Sequence, residues 1–393
     1  MKKFLTKTIL LVSFVSLFTD IASEMLYPVM PVFLKSIGFS VLLIGILEGL
    51  AEATAGLSKG YFGSISDRIG KRVPFVRWGY LLSAISKPLM AAFTFPLWIF
   101  GIRTMDRLGK GIRNSARDAL LSDEATPQTK GKVFGFHRGM DTLGAAIGPV
   151  AALIYLYFYP GNYQWLFIIA FVPGLVAVAL TFFLSEKKKQ EEKQPDGKKG
   201  FFSYFSYWRQ APVKYKLLVA GLLIFALFNS SDAFLLLMVK ERGCTDTQMI
   251  SLYIFYNLIY AVLSLPMGHL ADKLGMKRIM VFGIFTFGAV YLLFGFASRL
   301  PIFAVLFGLY AFYAAATEGI SKAWISNMVS KNKTATAIGF YTSFQSIATL
   351  IASSLAGLIW LKVGAMQVFI ISGTVATIVA IYLLVAVKDE KSS

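Results

Sequence analysis

Cysteine and histidine are nearly missing from this chain, and charge is scarce. With Cys244 as the one cysteine, no disulfide can form within it. His137 and His269 are the two histidines, and neither belongs to an HExxH or CxxC pairing. A metal centre built on thiolate or imidazole ligands is therefore not expected, and no cofactor is predicted. Charged residues make up 15% of the 393 positions, too few to cover the surface of a soluble domain of that size. No nucleophile–base pair and no cofactor fingerprint stands out, which argues against an enzyme. No cleavable signal peptide is expected either, because the first apolar run, Ile9–Leu34, is longer than a signal core.

What the chain has is apolar length. Hydrophobic residues are 56% of the sequence and mean hydropathy is +0.64. Runs such as 161–184 and 366–387 match the roughly 30 Å hydrocarbon layer that about 20 helical residues cross. The pattern predicts an all-α membrane protein with spans at 9–35, 41–62, 74–94, 96–117, 132–156, 163–184, 216–238, 246–267, 279–297, 301–324, 335–360 and 365–387. Twelve spans result.

Net charge is +18, and the basic residues fall where topology places them. They cluster before the first span and in alternate loops: 68–77, 113–132, 187–216, 273–278, 322–333 and 388–391. The positive-inside rule then sets both termini in the cytoplasm of a multi-pass protein of the cytoplasmic membrane. The lipid bilayer, not nucleic acid, accounts for the basic excess. A polar stretch, SEKKKQEEKQPDGKKG, opens a linker at 186–214 between an N-terminal bundle at 1–185 and a C-terminal bundle at 215–393. The aromatic flank at 201–208 is expected to lie in the membrane interface.

The two bundles echo each other. Gly63-Ser-Ile-Ser-Asp67-Arg68-Ile-Gly70-Lys71-Arg72 follows span two, and Gly268-His-Leu-Ala-Asp272-Lys-Leu-Gly275-Met-Lys277-Arg278 follows span eight. Glycines permit tight turns and close helix approach. An aspartate at that register can meet a neighbouring helix N-terminus, whose dipole favours negative charge. The first string resembles the signature loop of the major facilitator superfamily, and a degenerate second copy is typical of it. That resemblance implies two six-helix pseudo-repeats that alternate access to a central site, with Asp67, Arg68 and Asp272 latching one conformation. Pro74 stands where the family often has a basic residue.

Ionisable groups at bilayer depth are costly, about 2.5–3.5 kcal/mol each on insertion scales, and so mark function. Asp20 with Glu24, and Glu48 with Glu52, each put two carboxylates on one helix face at i, i+4 spacing. Arg103, Arg107, Lys110 and Arg117 share an arc of span four, with Asp106 at its edge. Opposite charges at equal depth fit either a structural ion-pair network or a proton path. Arg103 is also similar to the span-four arginine of superfamily antiporters, although Arg107 replaces the glycine usual four residues later.

Span five aligns His137, Asp141, Gly144 and Gly148 beside Arg138 and Pro149. Its Gly144-x-x-x-Gly148-Pro149 string resembles the motif of drug:proton antiporters, while small residues four apart also serve plain packing. In the second bundle Asp232 is a coupling candidate, and Glu318 with Lys322 forms a candidate gating pair. Tyr253, Tyr256, Asn257, Tyr260, Tyr310 and Tyr313 line a cavity or pack. The expected function is secondary transport of a small organic solute, proton-coupled export by a monomer. Import of an anionic metabolite or iron chelate with protons stays open, as does carriage of a divalent cation on the carboxylates. A receptor or scaffold would not need duplicated loops.

Overall fold

The computed structural model describes residues 5–27, 29–39, 41–185 and 203–387, with the backbone alone at a few of these, Glu48 among them. The expected linker residues 186–202 lie outside the described residues. Among the described residues the regular structure is helical throughout. In chain order the helices are α1 (Lys7–Leu26), α2 (Met30–Ser36), α3 (Val41–Ile69), α4 (Val73–Ala92), α5 (Pro96–Glu124), α6 (Lys130–Phe158), α7 (Tyr163–Thr181) and α8 (Tyr207–Gln210). They continue as α9 (Val213–Ala226), α10 (Ala233–Glu241), α11 (Asp246–Leu274), α12 (Met276–Phe294), α13 (Leu300–Asn327), α14 (Thr334–Lys362) and α15 (Ala365–Ala386).

Local chemistry sets many of these ends. Thr6 caps α1 by accepting from the Ile9 N–H, and Thr245 with Gln248 forms a capping box on α11. Pro74, Pro96 and Pro301 stand in the first turns of α4, α5 and α13, where a missing N–H costs nothing. Pro149 does not interrupt α6, which runs on to Phe158.

Eight of the described helices are long and apolar enough to cross a membrane: α1, α6, α7, α11, α12, α13, α14 and α15. The expected spans differ from this for physical reasons. Span one arrives as α1 and α2, with Pro28, which has no N–H to donate, between them in the sequence. Span seven arrives as α9 and α10, and Asn229-Ser-Ser-Asp232 separates them. There Ser231 Oγ accepts from the Ala233 N–H at 3.3 Å, local bonding that competes with a continuous helix. Spans two and four run further than expected, to Ile69 and Glu124, and carry several charges each.

The chain forms two compact units. One comprises Met1–Glu124, Met140–Gln210 and Ser330–Ser343; the other Ala125–Gly139, Ala211–Val329 and Phe344–Ser393. In the first, α5 packs on α3 and α4, and α7 on α1 and α4. In the second, α13 packs on α11 and α12, and α15 on α9 and α12. The two lists are the same list shifted by one repeat.

The first unit has its apolar core at Met25, Phe33, Leu34, Leu47, Ile99, Leu166 and Phe167. Gly144 and Gly148 of α6 lie against α1: a Cβ on Gly144 would sit 2.6 Å from the Leu17 carbonyl oxygen, and one on Gly148 2.7 Å from the Met25 nitrogen. Tyr204 and Tyr207 are buried, the Tyr204 ring covers Gly60, and its hydroxyl donates to the Leu57 carbonyl at 3.3 Å. Trp208 stacks on Phe340 with ring centroids 5.6 Å apart.

Candidate functional site

Four clusters of ionisable side chains stand out, two in each unit. The largest lines a cavity of about 130 Å³ among α1, α3, α4 and α5. Its described lining holds four carboxylates, Asp20, Glu24, Glu52 and Asp106, and five cations, Lys87, Arg103, Arg107, Lys110 and Arg113. The Glu48 side chain lies outside the described residues. Helical register explains the convergence. Arg103, Arg107 and Lys110 recur at three- and four-residue steps along α5, and Asp20 with Glu24 one turn apart on α1.

Most of these charges are matched. Arg107 pairs with Glu52 at 3.2 Å. Asp106 meets Arg103 at 3.5 Å, Lys87 at 3.8 Å and the Ser86 hydroxyl at 3.2 Å. Lys87, only 3% exposed, also donates to the Ser83 carbonyl at 2.8 Å. Arg113 donates to Ser83 Oγ at 2.6 Å and lies over the Tyr80 ring at 4.5 Å. Buried charge without such partners would be strongly destabilising. Arg117 turns elsewhere, to Asp118 at 3.0 Å and Ser16 at 3.0 Å. Asp141 is buried on α6, and its charge acts on Asp20 and Arg117.

The sequence reading missed Lys87 and Arg113 and gave Asp106 only an edge position. Lys87 was findable, because an ammonium inside an otherwise apolar segment is itself the signal. Arg113 was masked by its place among the basic residues expected to mark a loop.

The second cluster is the turn after α3. Asp67 pairs with Arg72 at 2.5 Å, and Arg72 also reaches Asp123 at 3.6 Å and the Lys331 carbonyl at 3.3 Å. The second Asp67 oxygen accepts from the N–H and hydroxyl of Thr336, in the first turn of α14, at 2.6 and 2.7 Å. A Cβ on Gly63 would sit 2.5 Å from the Ala335 carbonyl oxygen, so this approach requires glycine. Gly70 holds φ +71°, a left-handed turn. Arg68 lines a small cavity with Asp67, Tyr204 and Tyr207, whereas Lys71 is exposed. Burial, with Asp67 nearby, pushes the Tyr207 hydroxyl well above its usual range.

The matching turn lies in the second unit. Both Asp272 oxygens accept from the N-terminus of α6, Oδ1 from the Gly131 N–H and Oδ2 from the Lys132 N–H, each at 2.8 Å. Gly268 lies against the Gly131 carbonyl with no room for a Cβ, and Gly275 holds φ +98°. Lys277 is half-buried and Arg278 exposed. Lys130 Nζ donates to the Ser326 carbonyl at 2.7 Å.

Deeper in the second unit a hydroxyl-rich group gathers. Tyr310 donates to Asp232 at 2.7 Å, and Asn229 donates to the Tyr313 hydroxyl at 2.9 Å. Arg138 donates to the Tyr260 hydroxyl at 2.5 Å and stands 3.7 Å from Glu318. Lys322, on the same helix as Glu318, is half-buried. Tyr256, Tyr260, Tyr310 and Tyr313 are all buried and in mutual ring contact. Among the described residues, no group of three His, Cys, Asp or Glu is arranged to hold a metal ion.

Comparison with known proteins gives the same architecture a family. The Major Facilitator Superfamily model matches residues 12–256 and 217–393. An MFS-type transporter of Methanocaldococcus jannaschii is 32% identical over 386 residues, covering 97% of this chain and 95% of that protein. The multi-drug resistance efflux pump PmrA of Streptococcus pneumoniae is 24% identical over 307 residues, 74% of each chain. Two solved structures share the fold: the human organic anion transporter MFSD10, with TM-score 0.80 and 17% identity over 96% of this chain and 98% of that one, and the Escherichia coli fucose:proton symporter, with TM-score 0.77 and 11% identity over 96% and 97%. The chain belongs to the Major Facilitator Superfamily and is a membrane transporter, not an enzyme.

Proposed function

We propose that this chain is a twelve-span, proton-coupled carrier that moves a small organic solute across the cytoplasmic membrane by alternating access. Both termini are cytoplasmic, the monomer is the working unit, and the bundles 1–185 and 215–393 are the moving bodies. One observation carries the reading: four carboxylates and five cations line one cavity inside helices that the lipid would otherwise keep apolar. Asp20, Glu24 and Glu52 take the proton; Arg103 and Arg107 reset them by ion pairing. The broken first helix of each repeat, α1/α2 and α9/α10, supports a solute path there, since interrupted helices at matching places mark carrier sites. Asp67 and Asp272, each seated on a helix N-terminus, hold the resting conformation until the solute binds.

Export rests on the span-five motif and on the efflux pump among the relatives. A second reading, import of an anion with protons, is favoured by the excess of one positive charge on the described cavity lining. Everted vesicles separate the two readings. Uptake of a dye such as ethidium that collapses on adding a protonophore fits export. Dye uptake indifferent to the proton gradient, together with anion accumulation in right-side-out vesicles, removes it.

A further inference from the structure

One cation and one carboxylate of the cavity stand apart from the pairing scheme. Arg103, Arg107, Lys87 and Arg113 each meet a carboxylate or a hydrogen-bonding partner inside the first unit. Lys110 on α5 and Asp20 on α1 make no hydrogen bond and no ion pair within 4.0 Å among the described residues. Both line the cavity and interact only through space. Asp20 feels Glu24 from its own helix, Asp141 from α6, and Lys110 and Arg113 from α5. Lys110 feels Arg107 from its own helix, Glu52 from α3, and Asp20 and Glu24 from α1.

From this separation we infer that Lys110 is the anchor for an anionic group of the transported solute, a carboxylate or a phosphate, and that Asp20 is the site of the proton that travels with it. The inference rests on the transport reading above and adds the charge of the solute and the sense of the coupling. With the cavity empty, Asp20 and Lys110 offset each other at a distance. An anion arriving at Lys110 would meet the nearby Asp20 carboxylate and be repelled by it. A proton added to Asp20 from solution removes that repulsion, so each ligand raises the affinity of the other, as linkage requires. The anion and the proton therefore bind together and cross together. That sense of coupling selects the import reading. Lys110 suits the role because its loss strands no protein carboxylate, whereas removing Arg107 would strand Glu52.

The test uses three solutes on one scaffold, benzoate, benzamide and benzylamine, with inorganic phosphate as a second anion. Binding to the detergent-purified full chain is read at pH 6 and pH 8. The expected result is binding of an anion and of neither benzamide nor benzylamine, at least about tenfold tighter at pH 6. Lys110→Gln weakens it by about tenfold or more, and Lys110→Arg retains it, because a charge-assisted hydrogen bond needs only the cation. Asp20→Asn binds equally at both pH values. Overturning results are binding of benzylamine in place of the anions, wild-type affinity in Lys110→Gln, or no binding of either anion. Benzylamine binding with proton-coupled flux in proteoliposomes would leave the transport reading standing without this inference. Transport of a solute that binds, without any proton flux, would remove the proton-coupled reading itself.

Discussion

Substitution of Asp272 by alanine isolates the helix-end contact in a single unit. The carboxylate accepts the Gly131 and Lys132 N–H groups at 2.8 Å, and both donors belong to the first turn of α6, where no intrahelical acceptor exists. Hydrogen bonds to a charged group contribute about 1.5–3 kcal/mol each, and two sharing one half-buried carboxylate are taken at about 3 kcal/mol together. The charge at a helix N-terminus adds about 0.5 kcal/mol. Loss of about 3.5 kcal/mol makes local opening of the α6 start roughly 300-fold more frequent. Hydrogen exchange over residues 126–134 in detergent reads this directly as lost protection. Asp272→Asn keeps one acceptor oxygen without the charge and should fall between. The turn at Asp67 belongs to the other unit and serves as the internal control. Exchange in Asp272→Ala within about threefold of wild type would refute the reasoning, since water would then be replacing the carboxylate at no cost.

Glu52→Gln and Arg103→Gln should abolish transport in protein that still inserts and elutes as a single species, at a lower Tm because Arg107 and Asp106 each lose a charged partner; normal transport in both would remove the assigned proton path. Gly144→Val drives side-chain atoms into the Leu17 carbonyl and should destabilise the first unit by about 1–3 kcal/mol, visible as a lower Tm and a poorer monodisperse yield. Tyr204→Ala empties the cover over Gly60 and should cost about 3 kcal/mol by thermal unfolding. An interfacial role for this flank would instead leave Tm unchanged in detergent.

Much of the fold was legible because lipid imposes length and apolarity on a helix, and both can be read residue by residue. The repeat was legible because Gly63 to Arg72 and Gly268 to Arg278 preserve glycine and aspartate at positions where backbone geometry demands them. The φ values of Gly70 and Gly275 give that demand physical form. The helix breaks were harder. Pro28 was visible but sat inside a long apolar run, and the Asn229–Asp232 break depends on side chains bonding their own backbone.

At the site, the charges on α1, α3 and α5 could be grouped by register, but α4 entered unannounced. Lys87 has no i, i+4 carboxylate on its own helix, and its partner Asp106 comes from α5. Pairing between helices is a property of packing, which no one-dimensional pattern contains. The docking of Tyr204 was hidden for the same reason. Only the absent Cβ of Gly60 hints at it, and one glycine among 33 carries little signal.

The central claim is that solute movement is coupled to protons through the carboxylates of the first-unit cavity. Its most direct test is proton flux in proteoliposomes carrying the wild type or the Asp20→Asn, Glu52→Gln double variant. The interior is loaded with a pH-sensitive dye, and one solute that binds the purified protein is added outside. The account predicts a solute-dependent pH change in the wild type, abolished in the double variant although solute still binds. Solute transport without any pH change, or an equal pH change in the variant, would contradict it.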